Sequence, residues 1–397
     1  MLSSLSMELD AARIPLSVLD LVPISSGSTA GQALANTVDL ARRAETAGYR
    51  RYWIAEHHLN PGVAGTTPAL VIGHVAAATE RIRVGSGAVQ MGHHTPLAVV
   101  EQFGLLDALH PGRIDLGLGR SGFRRRSGAG GGGGGERPAP AGRRTDRGLL
   151  IPAPFSFARL AGSPRFALQL GLLQQPFAET PEYTEQVDDV LALLAGTYRS
   201  AEGAEAHVVP GEGAALDVWV LGSSGGESAE VAGARGLPFA ANYHVSPSSV
   251  LDAVAGYRAA FRPSARRAEP YVVVSADVVV GDDDAHAREQ STGYGLWVRS
   301  IRSGAGAIQF PSPEEARRHR WTDDDRALVQ DRLDTQFVGS PATVADQLEI
   351  LAAETGADEL LITTITHDHA DRLRSYELLA GEWSRRGAPV TAGAAPR

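Results

Sequence analysis

Apolar positions in the chain fall into short segments of two alternating kinds. Residues 14–24 (IPLSVLDLVPI) form a nearly continuous apolar run of strand length, and residues 33–47 carry apolar side chains at helical spacing. The pair then repeats. Residues 49–58, 82–91 and 113–119 read as strands, with helices over 68–79 and 97–109. Strands alternating with helices across short connections predict βαβ units and a parallel sheet. The pattern stops between 122 and 180. There Arg124, Arg125 and Arg126 precede six consecutive glycines, Gly130 to Gly135, a composition expected of a flexible loop or lid. An insertion without a role is the alternative.

Regularity returns with a helix over 183–194, a strand over 217–221 and a helix over 227–234 that Gly236 stops. A strand over 239–243 and a helix over 247–261, capped by Ser246, follow. A long apolar strand covers 271–280. A second insertion, 282–337, is helical and charged by pattern. A helix over 344–354, a strand over 359–365 and a helix over 369–383 complete the chain. Eight strands with no internal linker make a single (β/α)8 TIM barrel with insertions the economical solution, one domain over 1–397. Its active site would lie at the carboxyl ends of the strands. An open doubly wound sheet is the alternative, because pattern does not show closure.

Composition removes chemistries. The sequence contains no Cys, which excludes disulfides, zinc fingers, cysteine-held clusters and thiol nucleophiles. It also contains no Lys, so Schiff-base chemistry and the Walker A lysine are excluded. A net charge of −9 argues against a nucleic-acid surface. No apolar run is long enough to span a membrane. The first residues carry acids and no basic segment before the apolar stretch, so no signal peptide is read and a cytoplasmic protein is expected.

Four motifs fall at expected strand ends. Glu56-His57-His58 closes the second strand, and alternation allows only every other residue to face the barrel mouth. A neutral His57 there suits a proton donor or base. Gly85-Ser86-Gly87-Ala88 suggests a bulge or a close backbone approach to a ligand, or simple accommodation of the next strand. His93 and His94 add to a histidine-rich mouth. A metal site is set aside for want of a His-x-His pair on the first strand and of a bridging lysine. Gly117 to Gly122 matches G-x-G-x-x-G without the helix that a dinucleotide site needs, but Arg120 is well placed to anchor a phosphate. Gly222-Ser223-Ser224-Gly225-Gly226 matches G-x-S-x-G, so a serine hydrolase using Ser224 with His367 or His369 is a rival reading. The same small residues opening a helix would also suit a phosphate.

Taken in order, YRRYWIAEHH, ERIRVGSGAVQMGHHTPLAVVEQFGLLDALHPGRIDLGLGRSG, VLGSSGGESAEVAGARGLPFA, FVGSPATVADQLEIL and GADELLITTITHD resemble the luciferase-like flavin monooxygenase family over most of the chain. The resemblance implies a (β/α)8 barrel. It implies that His57 assists peroxyflavin chemistry, with Glu56 among the cofactor-binding residues. Gly87-Ala88 would form a cis peptide against the isoalloxazine, and Arg120, Ser223, Ser224 and Gly225 would hold the flavin phosphate. It further implies reduced FMN delivered by a separate reductase, O2 as co-substrate, a small organic substrate, a lid at the first insertion and a homodimer. Gly119 stands where the best-known luciferase subunit has a cysteine, and Ser223 where it has an acid, so light emission is not expected. An F420-dependent oxidoreductase on the same barrel, and a non-catalytic flavin-binding subunit, are the remaining alternatives.

Overall fold

The computed structural model describes residues 14–120, 141–156, 164–175 and 178–387. Eight parallel strands close into a ring: β1 (Leu16–Asp20), β2 (Arg51–Ile54), β3 (Arg83–Ser86), β4 (Ile114–Gly119), β5 (Asp217–Gly222), β6 (Phe239–Asn242), β7 (Val272–Val280) and β8 (Glu359–Thr363). Each pairs with its chain neighbour. β8 returns to β1 with Leu16 opposite Leu360, and β6 joins β7 with Val272 opposite Phe239. The ring settles the choice between a barrel and an open sheet.

The barrel helices are α1 (Ala30–Ala47), α2 (Pro68–Ala77), α3 (Pro96–Leu109), α4 (Tyr183–Ala195), α5 (Glu227–Ala234), α6 (Val250–Ala260), α7 (Pro341–Thr355) and α8 (His369–Gly387). The hydroxyls of Thr29, Thr95 and Ser340 accept from first-turn N–H groups and so fix where α1, α3 and α7 begin. The expected cap at Ser246 is not formed. Pro247–Ser249 is a 3-10 turn, α6 starts at Val250, and neither Ser246 nor Ser249 caps it through its side chain. Strands β1 and β2 end earlier than the segments read for them, and a residue at positive φ follows each, Val22 after β1 and Leu59 after β2.

The amino end of the barrel is plugged by charge. Arg51 is 2% exposed; its guanidinium lies 2.8 Å from Asp115 and 3.2 Å from Glu359. Trp53 donates to Asp115 at 2.9 Å, and Tyr271 donates to Glu359 at 2.9 Å. The Arg51 guanidinium also sits 4.6 Å from the Trp219 ring centre. Above this plug Trp53 and Trp219 meet edge to face at 5.1 Å and fill the barrel axis.

The first insertion departs from expectation in its described part, and the second follows it. In the first, the arginine cluster and polyglycine lie outside the described residues. Its described part is partly regular: strands Arg143–Arg144 and Leu150–Ile151 form a hairpin, and Pro164–Leu173 is a helix. Tyr243 donates to Leu150 O at 2.7 Å, which ties the hairpin to the carboxyl end of β6. The second insertion is helical as its pattern predicts, with helices Asp284–Gln290, Tyr294–Arg302, Pro313–Arg318 and Asp323–Thr335. Its residues 307–310 cross the barrel mouth and bond by backbone to the loops after β1 and β2: Phe310 N to Ile24 O at 2.8 Å, and Gly62 N to Ala307 O at 2.8 Å. Gly62 allows this approach, since a Cβ there would lie 1.7 Å from Ile308 O. Among the described residues no helix is long and apolar enough to cross a membrane.

Candidate active site

Alternation along β2 sends Arg51 and Trp53 to the barrel axis, and continuing it two and four residues on sends Ala55 and His57 the same way. Glu56 and His58 therefore point toward β3. There the Glu56 carboxylate gathers His58 and His94 into a clamp. His58 Nε2 lies 2.8 Å and His94 Nε2 2.9 Å from Oε1, and Gln90 N–H donates to Oε2 at 2.9 Å. Gln90 Nε2 reaches back to Glu56 O at 2.6 Å. His93 stands edge-on to His58, with ring centres 5.8 Å apart. His58 and His94 are thus spent on a carboxylate. No cluster of three or more His, Asp or Glu side chains among the described residues is disposed to hold a metal ion.

Burial raises the Glu56 carboxyl, but the hydrogen bonds from His58 and His94 outweigh it and hold the group at about 2. Burial pushes the His57 imidazole down to about 4, with Glu56 opposing and His58 adding to the depression. His57 is thus neutral at physiological pH, and its Nδ1 is buried without a hydrogen-bond partner. The signs give a two-step acid response. His57 binds its proton more readily when unfolded, so stability falls as pH drops from about 6.5 to about 4. Glu56 contributes stability above its unfolded pKa, which is lost as pH falls from about 4.5 toward 2. Glu56→Gln is therefore expected to remove the lower step and, by removing the charge that opposes the His57 depression, to extend the upper step to lower pH, read by urea unfolding at a series of pH values. An unchanged slope below pH 4.5 would show that the clamp carries no charge.

The Gly87–Ala88 peptide bond is cis. It interrupts β3, and pairing with β4 resumes at Val89, opposite Leu118. Gly87 N–H donates to Ile54 O at 2.8 Å, and a Cβ on Gly87 would fall 2.8 Å from Leu19 Cδ1 and 3.2 Å from Trp53 Cβ. This peptide therefore rests on the inner wall of the barrel. Gly85 has the plainer role of strand accommodation, because a Cβ there would meet Asp115 O at 2.5 Å.

At the ends of β4 and β5, Arg120 Nη1 lies 2.7 Å from Glu227 in the first turn of α5. Ser223 and Ser224 are exposed in the turn that opens α5. Gly225 instead packs against α6, where a Cβ would lie 2.6 Å from Asp252 O. A hydrolase triad is not assembled. His367 Nε2 is 3.2 Å from Ser26 Oγ, and His369 Nε2 is 3.0 Å from Asp39, so both imidazoles are engaged away from Ser224.

The sequence profile described as luciferase-like monooxygenase matches residues 14–147 and 164–359. The chain belongs to the luciferase-like monooxygenase family.

Within that family, the chain is 36% identical to YvbT of Bacillus subtilis over 94% of its length and 97% of that protein. It is 35% identical to a luciferase-like monooxygenase of Escherichia coli, over 92% of the chain and 96% of the relative. The crystal structure of apo-MsnO8 superposes with a TM-score of 0.74 at 31% identity, covering 94% of this chain and 98% of that one. Structures that share the fold at under 20% identity include a Pseudomonas putida Baeyer-Villiger monooxygenase component with FMN and an F420-dependent secondary alcohol dehydrogenase.

Sequence reasoning missed a second polar group at the mouth. His244 follows β6, and its Nδ1 lies 2.6 Å from Ser275 Oγ on β7. Two residues further along β7, Asp277 accepts from Arg332 Nη2 at 2.8 Å and from the Tyr294 hydroxyl. Both of these partners come from the second insertion. The one signal available was the position of His244, just past the end of a strand.

Proposed function

We propose that the protein is a two-component flavin monooxygenase that uses reduced FMN, delivered by a separate reductase, and O2 to oxygenate a small organic substrate. The reading is supported by the presence, at one end of one barrel, of a neutral imidazole at His57, an inner-wall backbone segment at Gly87, and a cation beside a helix amino end at Arg120. Family membership agrees with it, and the FMN-bound fold neighbour is consistent with it. The residues present fit the cofactor. Ser223, Ser224, Arg120 and the first N–H groups of α5 would hold its phosphate. The backbone at Gly87–Ala88, with one methyl for a side chain, gives a flat ring system an unobstructed face. Bound reduced FMN supplies the electrons that activate O2. His57 holds or gives the proton that the substrate oxygen needs. The second insertion roofs the mouth with Trp297 and Phe310, both buried, and so excludes water.

The test is titration of the purified protein with reduced FMN under argon, followed by an oxygen pulse watched by stopped-flow absorbance. A long-lived species distinct from oxidised flavin is the expected outcome. Failure to bind reduced or oxidised FMN would send the assignment to F420, which serves fold neighbours. Arg120→Ala is expected to weaken FMN about tenfold or more, since a hydrogen bond to a charged group contributes about 1.5–3 kcal/mol. Glu227→Gln should act in the opposite sense, because it removes the carboxylate that competes for Arg120. Equal affinity in all three proteins would place the phosphate elsewhere.

We also infer a homodimer through α2 and α3. Leu70, Leu105 and Leu109 on these helices are 75%, 53% and 71% exposed, an apolar face of the kind that a self-complementary contact covers. Light scattering on a sizing column should give twice the chain mass, and Leu105→Glu with Leu109→Glu should halve it. A wild-type monomer would end this inference.

A further inference from the structure

The amino end of the barrel carries more positive charge than its plug uses. Arg50 precedes β2, Arg51 begins it, Arg83 begins β3, and Arg266 and Arg267 lie between α6 and β7. With Asp217 at the start of β5, these five arginines wall a cleft of about 460 Å3. One water takes about 30 Å3 in the liquid, so a polyatomic ion has room there. Among the described residues that line the cleft, Asp217 is the one acid.

The carboxylates within reach are already committed. Register sets Arg51 opposite Arg83, and Asp115 separates their like charges, 2.8 Å from Arg51 and 2.6 Å from Arg83. Glu359 takes Arg51 at 3.2 Å and the hydroxyls of Ser17 and Tyr271. Arg50 comes no nearer to Glu359 than 3.8 Å, and Arg267 no nearer to Asp217 than 3.6 Å. Arg266 donates to Leu216 O at 3.0 Å and forms no ion pair among the described residues. Asp358 also acts on Arg267, but Arg258 is its stronger partner. Arg50, Arg266 and Arg267 therefore border the cleft with no carboxylate at hydrogen-bond distance.

The turn that bears two of these cations is fixed. Ser264 and Arg267 exchange backbone bonds at 2.8 and 3.2 Å, and Ser264 Oγ accepts from the N–H groups of Arg266 and Arg267. The Arg267 guanidinium lies 4.7 Å from the Tyr271 ring centre and 5.6 Å from that of Trp219. A guanidinium held in place loses little freedom on binding, and its fork matches two oxygens of a phosphate.

We propose that this cleft is a second anion site, at the far end of the barrel from the mouth, which takes the phosphate group of a small phosphorylated molecule on Arg50, Arg266 and Arg267. The occupant completes the charge plug and stabilises the fold by mass action. It does not compete with a ligand at the mouth.

The probe is inorganic phosphate, added to cofactor-free Arg120→Ala protein so that the cation at the mouth takes no part. Calorimetry is run against chloride at matched ionic strength. One phosphate per chain should bind, and the urea midpoint should rise with its concentration. Arg50→Gln with Arg266→Gln should weaken binding about tenfold or more and remove most of that rise. Both side chains are exposed, so the midpoint without phosphate should stay near its starting value. Should the pair fold poorly, Arg266→Gln alone is measured and should still weaken binding. Phosphate no better than chloride, or binding that these variants leave intact, overturns the site. Phosphate that binds the wild type but not Arg120→Ala belongs to the mouth and overturns it equally.

Discussion

Arg51→Ala is expected to cost the fold about 3–5 kcal/mol, because it leaves buried carboxylates without their shared cation. Asp115 would retain Arg83 and Trp53, but Glu359 would depend on Ser17, Tyr271 and an Arg50 guanidinium 3.8 Å away. Both carboxylates are fully buried. Against a total stability of about 5–15 kcal/mol, this loss is large enough to leave part of the chain unfolded at working temperature. Urea unfolding of the variant beside Arg50→Ala is the direct comparison. Arg50 is about half exposed, and its long contact to Glu359 should contribute under about 1 kcal/mol. Equal losses in the two variants would show that the plug is held by packing around Trp53 and Trp219 rather than by charge.

His57→Ala is expected to lower substrate oxygenation by about 10²–10⁴-fold while leaving the fold and reduced-FMN affinity near wild type. The side chain is half-buried with an unpartnered Nδ1, so its removal breaks no hydrogen bond of that nitrogen. His57→Gln keeps a donor but cannot exchange a proton at neutral pH, so it should resemble the alanine variant in turnover. If Gln restored activity, hydrogen bonding rather than proton transfer would be the role of the residue. The assay is coupled product formation per O2 consumed. A defect confined to FMN binding would falsify the role assigned to His57.

The order of elements was legible because each barrel strand is a short apolar run beside an amphipathic helix, and such local patterns survive folding. Closure was not, because the return of β8 to β1 that completes the ring is a contact between strands whose sequence pattern fits an open sheet equally well. Strand ends were overestimated for the same local reason. The apolar residues that continue past β1 lie outside the sheet: Leu21 packs in the cluster that holds Phe310, Val22 and Ile24 join the other core cluster, and Ile24 O accepts from Phe310 N. Within the site, the split between His57 and the outward pair Glu56 and His58 followed from alternation alone. Gly225 was read as a ligand residue, but its glycine is also demanded by the approach of α6. Tyr294 and Arg332 could not be found from sequence. They sit in an insertion whose charged, helical pattern reads as solvated surface, yet both are buried against Asp277. Only the folded chain brings them there, across 17 and 55 residues of sequence.

The edge-to-face indoles of the barrel axis also give the protein an optical readout of its own. Of the five tryptophans, Trp53 lies directly beneath Gly87, and Trp219 touches Trp53. A yellow chromophore settling on the Gly87–Ala88 peptide would stand next to this emitting pair and drain its excitation. Occupancy of the mouth can then be followed by the dimming of ultraviolet emission, without a label. In a chain with no cysteine or lysine side chain to label, that built-in lamp is the natural probe.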